Sequence, residues 1–256
     1  MGALKLFAFA GFLGSQSDWD FLKGYLPNDL ELCPQIVTPA GSFEKSCDVW
    51  LKSAKAEGLS EKKPGLLLGY SLGGRFAAHL ALLRPDFFKG FVALSAHPGL
   101  RTNEEKLQRL KADEEKAKEL LSPEKSWDDL LREWDRQPIF GGASETRQRL
   151  ETPQLRSLSA RQLTELSLGT QKNLTKSLIH CFVPQIWMAG EFDLKFTQVA
   201  KSLELQSQGK IKFRSVSGGS HRWPWQLSSA RSGQLISEAL SEVLKTSSTL
   251  GEKAGT

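Results

Sequence analysis

The stretch Gly69-Tyr70-Ser71-Leu72-Gly73 is where this chain could carry out covalent or proton-transfer chemistry. It fits G-x-S-x-G, which forms a nucleophile elbow when a strand precedes it and a helix follows. Both conditions are met. An apolar run, Gly65 to Tyr70, leads in, and a helical pattern opens at Gly73 and continues to Leu83. So sharp a turn admits only small residues on either side of the serine, hence Gly69 and Gly73. The Ser71 hydroxyl then projects beyond the sheet edge. The next N–H, that of Leu72, falls at a helix N-terminus, where orphan donors and the helix dipole favour a developing anion.

A serine by itself is a weak nucleophile and a weak base. It needs a histidine to take its proton, and the histidine needs a carboxylate to fix its tautomer. After an elbow the expected chain order is serine, acid, histidine. The apolar run Gln185 to Ala189 is followed by Gly190-Glu191-Phe192-Asp193, which makes Asp193 the candidate acid and Glu191 its surface competitor. Of the four histidines, His221 follows the last strand-like run in Ser217-Gly218-Gly219-Ser220-His221, where the base belongs. His97, after the fourth apolar run, is the rival. His79 lies within the elbow helix, and His180 has no evident partner. A second oxyanion donor should come from the loop after the first strand. The Phe12 amide is placed to supply it, while the Phe12 ring could lie over an apolar part of the substrate.

These residues need a frame that brings strand ends together. Strand texture appears at Leu4–Ala10, Leu32–Val37, Gly65–Tyr70, Phe91–Ser95, Gln185–Ala189 and Ile211–Val216. Helical texture appears at Phe43–Glu57, Gly73–Leu83 and Gln226–Leu244. Such alternation predicts an α/β fold, a mainly parallel sheet with helices on both faces. Ligands of such sheets bind beyond the carboxyl ends of the strands, where the elbow, the Gly11 loop and the turns after Ala189 and Val216 all fall. Residues 101–180 differ in texture. They are charged and strand-free, with helical patterns at Glu104–Leu121, Trp127–Trp134, Glu145–Leu150 and Ala160–Leu166. They read as a helical cap inserted into a core formed by residues 1–100 and 181–245, with 246–256 a flexible tail.

Composition narrows the function classes. There are 34 Lys and Arg against 29 Asp and Glu, a net charge of +5 without any basic stripe. That argues against nucleic acid and suits a small anionic substrate. Cys33, Cys47 and Cys181 are scattered and odd in number, so neither a disulfide frame nor a metal site is expected, and the setting reads as cytoplasmic. No apolar run is long enough to span a membrane, and a monomer or weak homo-oligomer is expected.

Several motifs together resemble one family. Gly11-Phe12-Leu13-Gly14-Ser15 with Asp18-Trp19 resembles the H-G-F-L-G-S-x-x-D-W signature of the MenH family of α/β-hydrolase-fold lyases. Gly69 to Arg75 resembles its G-Y-S-[LM]-G-G-R, and Ser95 to Leu100 its S-A-x-P-G-L. Trp134 with Gln137-Pro138-Ile139-Phe140, and Gly190 to Phe196, resemble two further family motifs. Two places depart from the pattern. Ala10 stands where the family has histidine, and the region Gly218 to Pro224 sets His221 about two residues away from the family's histidine.

The resemblance implies an α/β-hydrolase fold and 2-succinyl-6-hydroxy-2,4-cyclohexadiene-1-carboxylate synthase activity in menaquinone biosynthesis. The implied substrate bears an enolpyruvyl ether and three carboxylates. Loss of a ring proton to the serine, assisted by histidine and aspartate, triggers elimination of pyruvate with no metal and no organic cofactor. Arg75, Arg109 and Arg156 resemble the family's carboxylate-binding arginines, a role that suits the planar guanidinium fork. Tyr70 and Trp134 resemble pocket residues. A serine ester or thioester hydrolase acting through an acyl-enzyme is the alternative on the same three residues.

Overall fold

In the computed structural model, which describes residues 2–140, 149 and 151–254, the apolar runs pair as parallel strands. In chain order these are β1 (Leu4–Phe9), β2 (Leu30–Gln35), β3 (Gly65–Tyr70), β4 (Phe88–Leu94), β5 (Gln185–Gly190) and β6 (Ile211–Val216). They lie in the order β2-β1-β3-β4-β5-β6. The helices between them are α1 (Phe43–Ala56), α2 (Leu72–Leu83), α3 (Asn103–Leu121), α4 (Trp127–Asp135), α5 (Pro153–Glu165), α6 (Thr175–His180), α7 (Leu194–Gln206), α8 (Trp223–Gln226) and α9 (Ser229–Ala254).

Strand alternation sorts the side chains into two cores. Phe7, Phe9, Leu67, Phe91 and Trp187 point to one face and meet α1, α2 and α7 through Cys47, Leu51, Phe76, Leu80 and Leu203. Leu6, Ala8, Leu66, Leu68, Val92 and Met188 point to the other, against Trp19, Trp223 and the α9 residues Ile236, Ala239, Leu240 and Val243. Both faces are covered, so the strands read as continuous apolar runs.

Helices α3 to α6 lie between β4 and β5. A smaller core of Ala117, Leu120, Trp127, Leu130, Leu131 and Leu163 joins α3, α4 and α5, and Leu13 enters it from the loop after β1. A capping box of Thr102 and Glu105 opens α3. Two side chains of α5 fasten this unit to the loop after β2: Gln162 donates to the Val37 carbonyl at 2.8 Å and Arg161 to that of Pro39 at 2.7 Å.

The structure corrects several expectations. The tail expected from Thr246 is helical to Ala254, a continuation of α9. There the hydroxyls of Thr246 and Thr249 bond the carbonyls of Glu242 and Lys245, so these polar residues are accommodated within the helix. β2 begins at Leu30, earlier than expected. It tolerates Pro34 because it is an edge strand. α5 begins at Pro153, well before Ala160, since Thr152 caps it and proline suits its first turn. The helix expected over Glu145–Leu150 lies outside the described residues, Arg149 excepted. Among the described residues no helix is long and apolar enough to cross a membrane.

Candidate active site

Ser71 sits between β3 and α2 with φ 49° and ψ −108°, a conformation that a residue with a side chain rarely adopts. Packing enforces it. A Cβ on Gly69 would lie 2.3 Å from the Gly73 carbonyl oxygen, and one on Gly73 would lie 2.1 Å from that of Phe9. The Ser71 N–H donates to the Leu94 carbonyl at 2.9 Å, tying the elbow to the end of β4.

His221 reaches Ser71 from the loop after β6, its Nε2 3.4 Å from the serine Oγ. Its Nδ1 is 2.7 Å from Oδ2 of Asp193, which leads into α7. The distance to serine is loose, as is common before substrate tightens a site. His221 and Asp193 are each 3% exposed, so their contact is shielded from water. Three rings enclose the imidazole: Phe196 at 4.5 Å, Tyr70 at 5.4 Å and Phe140 at 5.8 Å between centroids. Glu191 does not reach His221. Its carboxylate accepts from Ser217 Oγ at 3.2 Å and from the Gly218 N–H at 2.9 Å, so it braces the loop that carries the histidine.

The other histidines lie elsewhere. His97 is buried, and its Nδ1 accepts from the Gly99 N–H at 3.0 Å. It lines a separate cleft of about 410 Å³ with Arg101 and Lys195. Burial first, then the nearby cations Lys195 and Arg75, lower its pKa to about 4. His79 stacks on Phe43 at 4.4 Å, and burial lowers its pKa to about 4 as well. His180 ends α6.

Ser71 and His221 open onto a cavity of about 120 Å³. Phe12, Tyr70, Trp134, Phe140, Phe196 and Trp225 supply its apolar wall, and Arg109, Arg149, Arg222, Asp18 and Gln137 its polar one. Phe12 lies in the turn closed by the Gly14 N–H to Gly11 carbonyl bond, and its ring packs on Trp134 at 4.5 Å. Leu72 is the first residue of α2, so its N–H has no acceptor within the helix.

An elbow serine, a buried acid–histidine pair and an arginine-rich cavity at the strand ends can be compared with known proteins. The α/β-hydrolase fold family model matches residues 49–250. A 2-succinyl-6-hydroxy-2,4-cyclohexadiene-1-carboxylate synthase of Photorhabdus laumondii is 31% identical over 216 residues, 77% of this chain and 74% of its own. A Haemophilus influenzae protein given that name provisionally is 30% identical over 212 residues, 76% of this chain and 83% of its own. The chain belongs to the MenH family of α/β-hydrolase-fold enzymes. The structure of MenH from S. aureus has the same fold, with a TM-score of 0.78 at 21% identity over 95% of both chains. A thermophilic esterase from Thermogutta terrifontis shares the fold less closely, with a TM-score of 0.68 at 18% identity over 95% of this chain and 92% of its own.

Within this MenH-family site the residues carried over by resemblance take different places. Tyr70, Trp134 and Arg109 line the cavity. Arg109 gives its Nε to both oxygens of Asp113, at 2.9 and 2.8 Å, and Ser167 holds the second of those oxygens at 2.7 Å. Arg75 is not among the lining residues. It turns toward the cap, donating to the Leu166 carbonyl and to Gln171 Oε1, both at 3.1 Å, with its guanidinium 5.1 Å from the Phe43 ring. Burial first, and Arg109 second, push its pKa below the ordinary guanidinium range. Arg156 is likewise absent from the lining. It closes the end of α3, donating to the carbonyls of Leu120, Ser122 and Lys125 at 3.1, 3.2 and 2.9 Å. Resemblance to the family's carboxylate-binding arginines singled it out, but carbonyls at the end of α3 and in the turn that follows claim its donors.

The sequence reading missed Arg149, Arg222, Phe196 and Trp225. Phe196 had a signal, as the last residue of the motif Gly190 to Phe196 that also holds Asp193. Arg222 had one too, as the residue after His221. Arg149 and Trp225 follow no periodic pattern that would single them out. Ala10, where the family has histidine, is buried beside Gly14, whose added Cβ would lie 2.8 Å from the alanine Cβ.

Proposed function

We propose that this protein eliminates pyruvate from 2-succinyl-5-enolpyruvyl-6-hydroxy-3-cyclohexene-1-carboxylate, with Ser71, His221 and Asp193 as the proton-transfer unit. The observation that carries this reading is the cavity itself. The serine–histidine–aspartate line opens onto a space walled by aromatic rings and by Arg109, Arg149 and Arg222. That lining matches a substrate that is a carbon ring bearing three carboxylates. Names borne by relatives at 30 and 31% identity support the same reading.

In the proposed reaction Ser71 Oγ takes the ring proton as its own passes to His221 Nε2. The C–H electron pair becomes the new ring double bond and expels the enolpyruvyl oxygen. The departing enolate takes at its methylene carbon the proton now on His221 Nε2 and becomes pyruvate. Asp193 stabilises the imidazolium, and the Phe12 and Leu72 amides are assigned to the oxygen anion that develops. The setting is proposed to be cytoplasmic, in keeping with three free cysteines.

A serine esterase is the second reading, favoured by the shared fold of the Thermogutta terrifontis esterase. One preparation separates the two. Pyruvate release from the enolpyruvyl substrate, coupled to lactate dehydrogenase, is expected without an acyl-enzyme intermediate. A rapid burst with p-nitrophenyl acetate and no detectable pyruvate would replace the lyase with the esterase.

A further inference from the structure

Arg222 follows His221 directly and lines the cavity with it and Ser71. The side chain is 11% exposed, and its guanidinium lies 3.7 Å from the centroid of the Phe140 ring. Its Nη2 donates to Oδ1 of Asp135, the last residue of α4, which is equally enclosed. The pair is incomplete. Nη1 of Arg222 and Oδ2 of Asp135 are both buried without a hydrogen-bond partner among the described residues. A guanidinium offers donors in a rigid planar fork suited to a carboxylate. Asp135 engages that fork through one oxygen only.

The rest of the cavity says what could complete it. Of the three arginines expected to meet carboxylates, Arg75 and Arg156 give their donors to carbonyls and an amide elsewhere, which leaves Arg109. A substrate with three carboxylates entering this space therefore meets, besides Arg109, the unexpected cations Arg149 and Arg222. Arg222 combines a cavity position, a ring beneath it that limits its reorientation, and an unused buried donor. Removal of a buried donor's partner is costly, and a ligand that supplies one gains by the same asymmetry.

We propose that Arg222 is a substrate-binding residue, taking one substrate carboxylate on the donor that Asp135 leaves open. The assignment rests on the proposed tricarboxylate substrate. Asp135 is then a positioning residue that holds the fork in place and competes weakly for it. A purely structural strap between α4 and the histidine loop is the rival account, and the two partners respond differently under each.

The test is calorimetric titration of the enolpyruvyl substrate into Ser71→Ala protein, which holds substrate without turning it over. Adding Arg222→Gln should weaken binding at least tenfold, and Arg222→Lys, which keeps charge but loses the fork, should weaken it less. Asp135→Asn should leave binding as tight as the parent or tighter. Thermal unfolding of each variant shows which are folded, and Arg222→Lys decides the matter if Arg222→Gln is not. Binding within twofold of the parent for Arg222→Gln, or for Arg222→Lys in that case, overturns the proposal. So does Asp135→Asn weakening binding as much as the arginine variants do. Pyruvate release by the wild-type protein tests the lyase reading separately. A parent that does not bind the substrate at all overturns both.

Discussion

Replacing Asp193 by asparagine isolates what a single negative charge contributes to this site. The side chains are nearly isosteric, so the turn into α7, which uses the Asp193 carbonyl to accept from the Thr197 N–H at 2.9 Å, should persist. Two things change at His221. The 2.7 Å contact to Nδ1 loses its charge. An amide NH₂ facing Nδ1 can also favour the tautomer whose proton sits on Nε2, the nitrogen that must receive the serine proton. With charge centres about 4 Å apart and an effective dielectric of about 20, loss of the imidazolium–carboxylate attraction costs about 4 kcal/mol. That corresponds to a fall in kcat of about 10³-fold, with the tautomer effect adding to it. The assay is coupled pyruvate release at saturating substrate, with thermal unfolding run beside it to show that the variant is folded. Folded Asp193→Asn protein within tenfold of wild type would refute the assignment. The refutation would be complete if Glu191→Gln were the crippled variant, since Glu191 should matter only through the Ser217–Gly218 turn it braces.

Arg109→Met should raise KM by about 10–100-fold, the value of one or two charge-assisted hydrogen bonds to substrate, with a smaller change in kcat. Arg156→Met should instead act on stability. Stranding the α3-end carbonyls of Leu120 and Ser122 and the turn carbonyl of Lys125 should cost about 2–4 kcal/mol and lower Tm by roughly 4–16 °C, while KM of the folded protein changes less than about threefold. Stability should also fall in acid because His79 and His97 are kept neutral, each with its pKa lowered to about 4. The unfolded chain binds these protons first, so the contribution is complete above about pH 6.5 and is lost as pH drops toward 4, by about 3 kcal/mol per histidine. Urea unfolding at pH 7 and pH 4.5 measures the loss, and His79→Gln should remove about half of the histidine-dependent slope.

Much of this architecture is written locally. β3 has the bounds that its apolar run suggests because glycine at Gly69 and Gly73 is required by contacts closer than any side chain tolerates. α1 and α3 start at Ser42 and Thr102, whose hydroxyls accept from residues three positions on, a signal readable from residue type. What was not legible depends on partners distant in sequence. The 3-10 helix over Gln16–Gly24 has no regular apolar period, and it is Trp19 and Leu22 packing beneath the sheet that define it. The destination of an arginine is harder still. Arg75, Arg109, Arg156 and Arg222 all sit in or beside helices, yet two face the cavity and two do not. The difference lies in whether a carbonyl such as that of Leu166 or Leu120 is near enough to take the donor.

The elbow and its histidine do not by themselves choose between a lyase and a hydrolase. A serine held at φ 49° and aligned with a buried acid–histidine pair can attack a carbonyl or accept a ring proton. The choice falls to whichever substrate atom is held at Oγ, and that is set by the groups opposite. Here those groups belong largely to the inserted helices: Arg109 on α3 and Trp134 on α4, with Phe140 and Arg149 close behind. Asp113, Ser167 and Arg109 form one hydrogen-bonded chain that joins α3 to the segment after α5. Arg75 ties that same segment back to the elbow helix through Leu166 and Gln171. On the proposed reading, the orientation of substrate over Ser71 is coupled mechanically to the helix that carries Ser71. On this account Arg75, though it faces away from the cavity, would influence turnover through placement of the cap. Its replacement would lower kcat and stability together, whereas loss of Arg109 would appear mainly in KM.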